Sequence, residues 1–106
     1  MPDVVWTGGI SELRKIATMA EAYYIPVSPH NAMGSIQIIA GAHTMMTVPN
    51  FYRLEFSIAA LESYNAVLDK PLDIRDGNLL LPTGPGLGYD LDTEFMAAHP
   101  DPAWNG

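Results

Sequence analysis

No cysteine occurs in the 106 residues, so neither a disulfide framework nor a thiolate metal site can be built from this chain. Basic side chains are scarce: 5 Lys and Arg stand against 12 Asp and Glu, a formal net charge of -7. A surface of that sign repels phosphate, which excludes nucleic acid as a natural partner. Long hydrophobic runs are missing too. The longest mostly apolar stretch, Ile36 to Val48, is broken by Gln37, His43 and Thr44 and falls short of the roughly 20 residues a bilayer requires. The opening MPDVVWTGGISEL has an acid at position 3 and a glycine pair where a secretory leader would carry basic residues and an apolar run. The expectation is a cytoplasmic protein with no membrane contact. What is present is apolar: 48% hydrophobic and 9% aromatic residues against 16% charged, enough to offset chain entropy with a compact core.

The order of patterns predicts strand, helix, strand, helix, strand. Val4, Val5 and Trp6 are β-branched or aromatic and end at Thr7-Gly8-Gly9, the pattern of a buried strand bounded by a turn. Ser11 reads as an N-cap, with Leu13, Ile16, Ala17, Ala20 and Tyr23 or Tyr24 at helical spacing behind it. Pro26 stops that helix, and Ile25 to Ser28 can form a second strand, completing a βαβ unit. A second helix, from about Ser35 to Met46, is apolar on nearly every face and needs cover on several sides. Phe51 to Phe56 is the third strand, with parallel pairing implied. From Asp69 the chain becomes rich in proline and glycine. Leu72 to Ile74 and Leu79 to Leu81 flank Asp76-Gly77, a hairpin signal, and Asp92 to Ala98 reads as a last short helix before a loose tail, His99 to Gly106. Three parallel strands alone leave open edges and an uncovered face, so the pattern reads as part of something larger.

Functional side chains of parallel α/β proteins gather at the C-terminal ends of strands. His30, just past the second strand, and Glu55, at the end of the third, fit that rule, whereas Asp3 stands at the beginning of the first. A carboxylate bonded to one imidazole nitrogen fixes the tautomer and strengthens the other nitrogen as a base. Asp3 and His30 can therefore act together; the alternative is that His30 caps the following helix as a turn residue. Glu55, between Leu54 and Phe56, needs a partner or a raised pKa, and a salt bridge to Arg53 or a neighbour is the commoner explanation. His43 reads as a core or interface residue and His99 as a solvated one. No HExxH-type spacing points to a transition metal. Gly84, Gly86 and Gly88 are interrupted by Pro85 and followed by no immediate helix start, which favours a tight turn over a phosphate loop. Asp90, Asp92 and Glu94 read as a solvated helix start.

The stretches PDVVWTGGISELRKIATMAEAYYIPVSPHN, VPNFYRLEF and DGNLLLPTGPGLGYDLD together cover nearly all of residues 2 to 92. In that order they resemble the C-terminal barrel segment of the enolase superfamily, in its mandelate racemase and muconate lactonising enzyme group. The resemblance implies an α/β fold comprising the last three strands of a TIM-type barrel over 1–68. A hairpin and tail, 69–106, would return to a capping domain. It further implies that Asp3 and His30 are the family's acid-base dyad and that Glu55 binds the substrate carboxylate or the enolate formed from it.

The run from PHN to PNF and LE is most similar to acid-sugar dehydratases of the galactonate type, departing from them at Gly34-Ser35, where a Gly-Pro step is frequent. The implied parent is a magnesium-dependent lyase that takes a proton from the carbon beside the carboxylate of a small sugar acid and acts as a homo-oligomer. Its magnesium carboxylates would precede Met1, so this chain is expected to be inactive by itself. The alternatives are a racemase or epimerase of the same family and a noncatalytic module that self-associates.

Overall fold

Leu13 and Ala17, one helical turn apart, are wholly buried while Arg14 and Lys15 face solvent, and this stripe sets α1, Ile10–Glu21. The computed structural model describes residues 1–103. α1 begins one residue before Ser11; Gly9, at φ 104°, holds the N-cap position, and no side chain caps the helix. Its far end closes with Ile25 N–H on the Ala20 carbonyl and Tyr24 N–H on that of Glu21. Tyr24 adopts φ 57° there, a left-handed closure usually given to glycine. The helix thus ends ahead of Pro26, where the sequence places the stop, and Tyr23 and Tyr24, expected on its apolar stripe, lie in the turn beyond it and are exposed.

α2, Ser35–Met45, follows the expected range and is buried on most of its faces. It packs against α1. Chain contacts divide the protein into two units, Met1–Ile58 and the chain from Ala59 onward. The first holds both helices. The second holds α3 (Leu61–Ala66), the strands β1 (Asp73–Arg75) and β2 (Asn78–Leu80), and α4 (Thr93–Ala98). α3 has no counterpart in the sequence reading.

The strands expected at Val4–Trp6, Ile25–Ser28 and Phe51–Phe56 do not form continuous ladders. Val4 to Gly8 is a turn, because the Asp3 carboxylate and carbonyl accept the amides of Val5, Trp6 and Thr7 and remove them from any ladder. The other two meet at one parallel bridge, Val27 with Phe51. Val27 N–H donates to the Asn50 carbonyl (2.8 Å) and Tyr52 N–H to that of Val27 (2.9 Å). His30 N–H donates to the Pro2 carbonyl (2.8 Å), so the segment 27–30 runs beside both the start of the chain and the segment near Phe51. Asn50 ties this to α1, its amide donating to the carbonyls of Ala17 and Ile25, each at 3.0 Å.

In the second unit the hairpin forms as predicted, one residue in from its outer ends. β1 and β2 pair antiparallel as Asp73–Leu80, Ile74–Leu79 and Arg75–Asn78. Asp76 and Gly77 take φ 50° and 75°, the twist that a two-residue hairpin turn requires. Asp92 caps α4, its carboxylate accepting the Phe95 N–H. His99 is exposed as expected, yet its ring stacks on Phe95. Residues 104–106 of the expected tail lie outside the described residues. Among the described residues no helix is long and apolar enough to cross a membrane.

The glycine-rich segment is a turn, and Gly88 is its tightest point: at φ +73°, an added Cβ would lie 2.3 Å from the Pro82 ring. Gly88→Ala is expected to destabilise this unit by about 2–4 kcal/mol, from left-handed strain and overlap together. Hydrogen exchange should show the loss in amides of 59–103.

Candidate active site

Asp3 is held at the first turn of the chain. Its Oδ1 accepts the Val5 N–H (2.7 Å) and the Trp6 N–H (3.2 Å), and its Oδ2 faces His30 Nδ1 at 2.7 Å and accepts from Gln37 Nε2 at 2.6 Å. The carboxyl is 6% exposed. Burial pushes its pKa up, but the bonds from His30, Gln37, Trp6 and Val5 outweigh that cost and hold it below the ordinary 3.8. An ionised Asp3 only accepts, so the facing Nδ1 of His30 carries a proton.

His30 lies where 27–30 leaves the bridge with Phe51, its backbone pinned to Pro2. Its side chain is 39% exposed, with Nε2 on the open side, 3.9 Å from Glu55 Oε2. Glu55 is oriented by the backbone N–H of Asn31, donated to Oε2 at 3.1 Å. The structure thus brings Asp3, His30 and Glu55 into one row: a buried carboxylate, an imidazole, and a half-exposed carboxylate. Asp3 reaches this position although no strand precedes it, because the turn at 4–8 folds its side chain back toward His30. The partner of Glu55 is the His30–Asn31 corner, whereas Arg53 turns to the Tyr52 hydroxyl.

With Nδ1–H donated to Asp3, the neutral ring presents a lone pair at Nε2, the arrangement of a general base whose cationic form is stabilised from the Asp3 side. His43 sits half-buried on α2, outside this row. Among the described residues no three His, Cys, Asp or Glu side chains converge where they could hold a metal ion. The donor set of this chain therefore does not fit a resident magnesium.

The family model described as enolase C-terminal domain-like matches residues 1–95. The chain belongs to this enolase family. Among its relatives, D-xylonate dehydratase of Haloferax volcanii is 37% identical over 98 residues, which are 92% of this chain and 24% of that protein. Arabinonate dehydratase of Saccharolobus solfataricus is 35% identical over 84% of this chain and 24% of its own length. Among solved structures, an enolase of the mandelate racemase subgroup from Agrobacterium tumefaciens superposes with a TM-score of 0.79 at 35% identity, covering 88% of this chain and 26% of that one. The chain spans about a quarter of the length of the curated relatives it matches. The likeness makes the fold class α/β, of the barrel type characteristic of the enolase C-terminal domain.

One residue of the candidate site escaped the sequence reading. Gln37 appeared only as an interruption of an apolar helix, yet it touches both members of the dyad: Nε2 donates to Asp3 Oδ2 (2.6 Å) and to the His30 carbonyl (3.3 Å). The available signal was an amide placed two turns after a histidine, on a helix with no exposed polar face to receive it.

Proposed function

We propose that this chain supplies the proton-exchanging side of an acid-sugar dehydratase. The observation that carries the proposal is the His30 Nδ1 to Asp3 Oδ2 contact at 2.7 Å with Nε2 left on the open side. His30 Nε2 removes the proton on the carbon next to the substrate carboxylate, and Asp3 keeps the ring in the competent tautomer. Glu55, across from Nε2, faces the same space and binds the substrate carboxylate or the enolate derived from it. The hydroxyl on the next carbon then leaves as water, taking the proton that His30 acquired, and the resulting enol becomes a 2-oxo-3-deoxy acid. The relatives that act as D-xylonate and arabinonate dehydratases support this substrate class.

In this reading residues 1–68 contribute the last three strand positions of the barrel, and 69–106 return to a capping domain. On the same reading magnesium is held by carboxylates in other parts of the complete protein, where it would stabilise the enolate's charge.

The test uses the complete protein in deuterated water with magnesium in the buffer, against a panel of pentonates and hexonates. Formation of a 2-oxo-3-deoxy acid is the expected outcome. Deuterium entering the carbon beside the carboxylate without loss of water would assign a racemase or epimerase instead. Neither exchange nor dehydration across the panel, together with concentration-dependent association, would overturn the enzymatic reading in favour of a binding module.

A further inference from the structure

A side-chain amide buried in an apolar helix is costly unless every polar atom finds a partner. Gln37 is 4% exposed on α2 and meets that demand within the site. Its Nε2 donates to Asp3 Oδ2 and to the His30 carbonyl, and its Oε1 accepts the Met33 N–H at 2.7 Å. Met33 continues the chain of contacts, its Sδ accepting the indole N–H of Trp6 at 3.1 Å, and the Trp6 backbone N–H returns to Asp3 Oδ1. The result is a closed ring, Asp3 to Gln37 to Met33 to Trp6 to Asp3, with His30 bonded to one corner.

Four donors fix the two Asp3 oxygens. Three of them come from the turn at 5–6 and from His30 itself. Only Gln37 brings a donor from a packed helix, and it grips the same oxygen that faces His30. Without it Oδ2 is held by His30 alone while Oδ1 keeps its two amides, and the corner at 30–33 loses its anchor on α2.

We propose that Gln37 is a positioning residue of the dyad, holding the Asp3 carboxylate against His30 Nδ1 and the 30–33 corner against α2, so that Nε2 is the nitrogen offered to substrate. The inference rests on the reading of Asp3 and His30 as the proton-exchanging pair. It adds a residue that never touches the substrate.

Nuclear magnetic resonance of the 106-residue chain tests it through the ring nitrogens of His30 and the carboxyl carbon of Asp3. In the unaltered chain the neutral ring should be the Nδ1–H tautomer. Gln37→Met keeps the length and removes both donor and acceptor. It should move the ring toward the tautomer mixture of a free imidazole and raise the Asp3 midpoint, because one of the donors that hold it down is gone. Gln37→Glu keeps an acceptor for the Met33 N–H but, ionised, cannot donate to Asp3. It should disturb the tautomer at neutral pH as Gln37→Met does, whereas a residue that merely anchored the corner would leave it unchanged.

A folded Gln37→Met chain with the original tautomer and Asp3 midpoint overturns the inference. Should neither variant fold, exchange of the Gln37 side-chain amide in the unaltered chain decides. Exchange about 100-fold slower than that of a free amide supports the inference, because a bonded amide exchanges only when its site opens, and exchange at the free rate overturns it. Proton exchange on substrate is scored separately. Its absence alongside the expected shifts removes the functional reading and leaves the role of Gln37 in the pair; its presence without the shifts removes only the inference.

Discussion

Replacing His30 by asparagine is expected to slow proton exchange at the substrate carbon about 1,000-fold in the complete protein, the middle of the range for losing a positioned general base. Asparagine can still donate a side-chain N–H toward Asp3, from near the place where Nδ1 now stands 2.7 Å from Oδ2. What it lacks is a basic atom at the position of Nε2. Because the His30 side chain is 39% exposed, the fold should tolerate the change, and circular dichroism and the unfolding midpoint should match the unaltered protein. Deuterium exchange followed by mass spectrometry reads the rate. A rate within tenfold of the original would remove His30 from the role of base.

Asp3→Asn is expected to be worse for stability and comparably severe for exchange. The new amide can keep an oxygen toward the Val5 and Trp6 amides, but its NH2 then faces the NH2 of Gln37 and the Nδ1–H of His30. Donor meets donor. His30 escapes by moving its proton to Nε2, which removes the lone pair from the side facing substrate, and Gln37 loses a buried acceptor. A loss of about 1–3 kcal/mol follows from the unsatisfied buried groups, with exchange again lowered about 1,000-fold.

Acid titration of stability provides the independent check. The folded Asp3 carboxyl holds its pKa below the ordinary 3.8, so unfolding takes up a proton between the two values. Its stabilising contribution is complete above about 3.8 and disappears as pH falls through the folded value. Urea unfolding of the unaltered protein should weaken across that interval, and Asp3→Asn should lack this increment. A variant that lost the same stability over the same interval would show that the effect comes from other carboxyls.

Much of this arrangement is legible in the residue pattern because it depends on local chemistry. α1 follows from apolar spacing, although it ends at Glu21, ahead of the expected stop at Pro26; α2 follows from a mostly apolar surround and the hairpin from Asp76-Gly77. The contact of Asp3 with His30 was legible through the residue types, although Asp3 does not fit the strand-end rule that His30 and Glu55 follow. The strands were not, since a strand is a partnership: Val4 to Trp6 has β-forming side chains, but the Asp3 carboxylate takes the amides that a neighbour would need. Gln37 was obscured for the opposite reason. Its surroundings in sequence are apolar, and its partners lie as far as 34 positions away. α3, a six-residue helix with only Tyr64 buried, carries too little periodicity to stand out from its flanks.

The amide of Asn50 has a consequence for the order in which the first unit assembles. It joins the carbonyls of Ala17 and Ile25 across separations of 33 and 25 residues, next to the bridge of Val27 with Phe51. Each helix can wind from contacts within a few residues, whereas these ties require a long loop to close first. Loop closure of that length sets the pace of folding more than helix growth does. The contacts of the row are no more local, 27 residues for Asp3 with His30 and 24 for Glu55 with Asn31, so the whole row waits on the same long closures that Asn50 fastens.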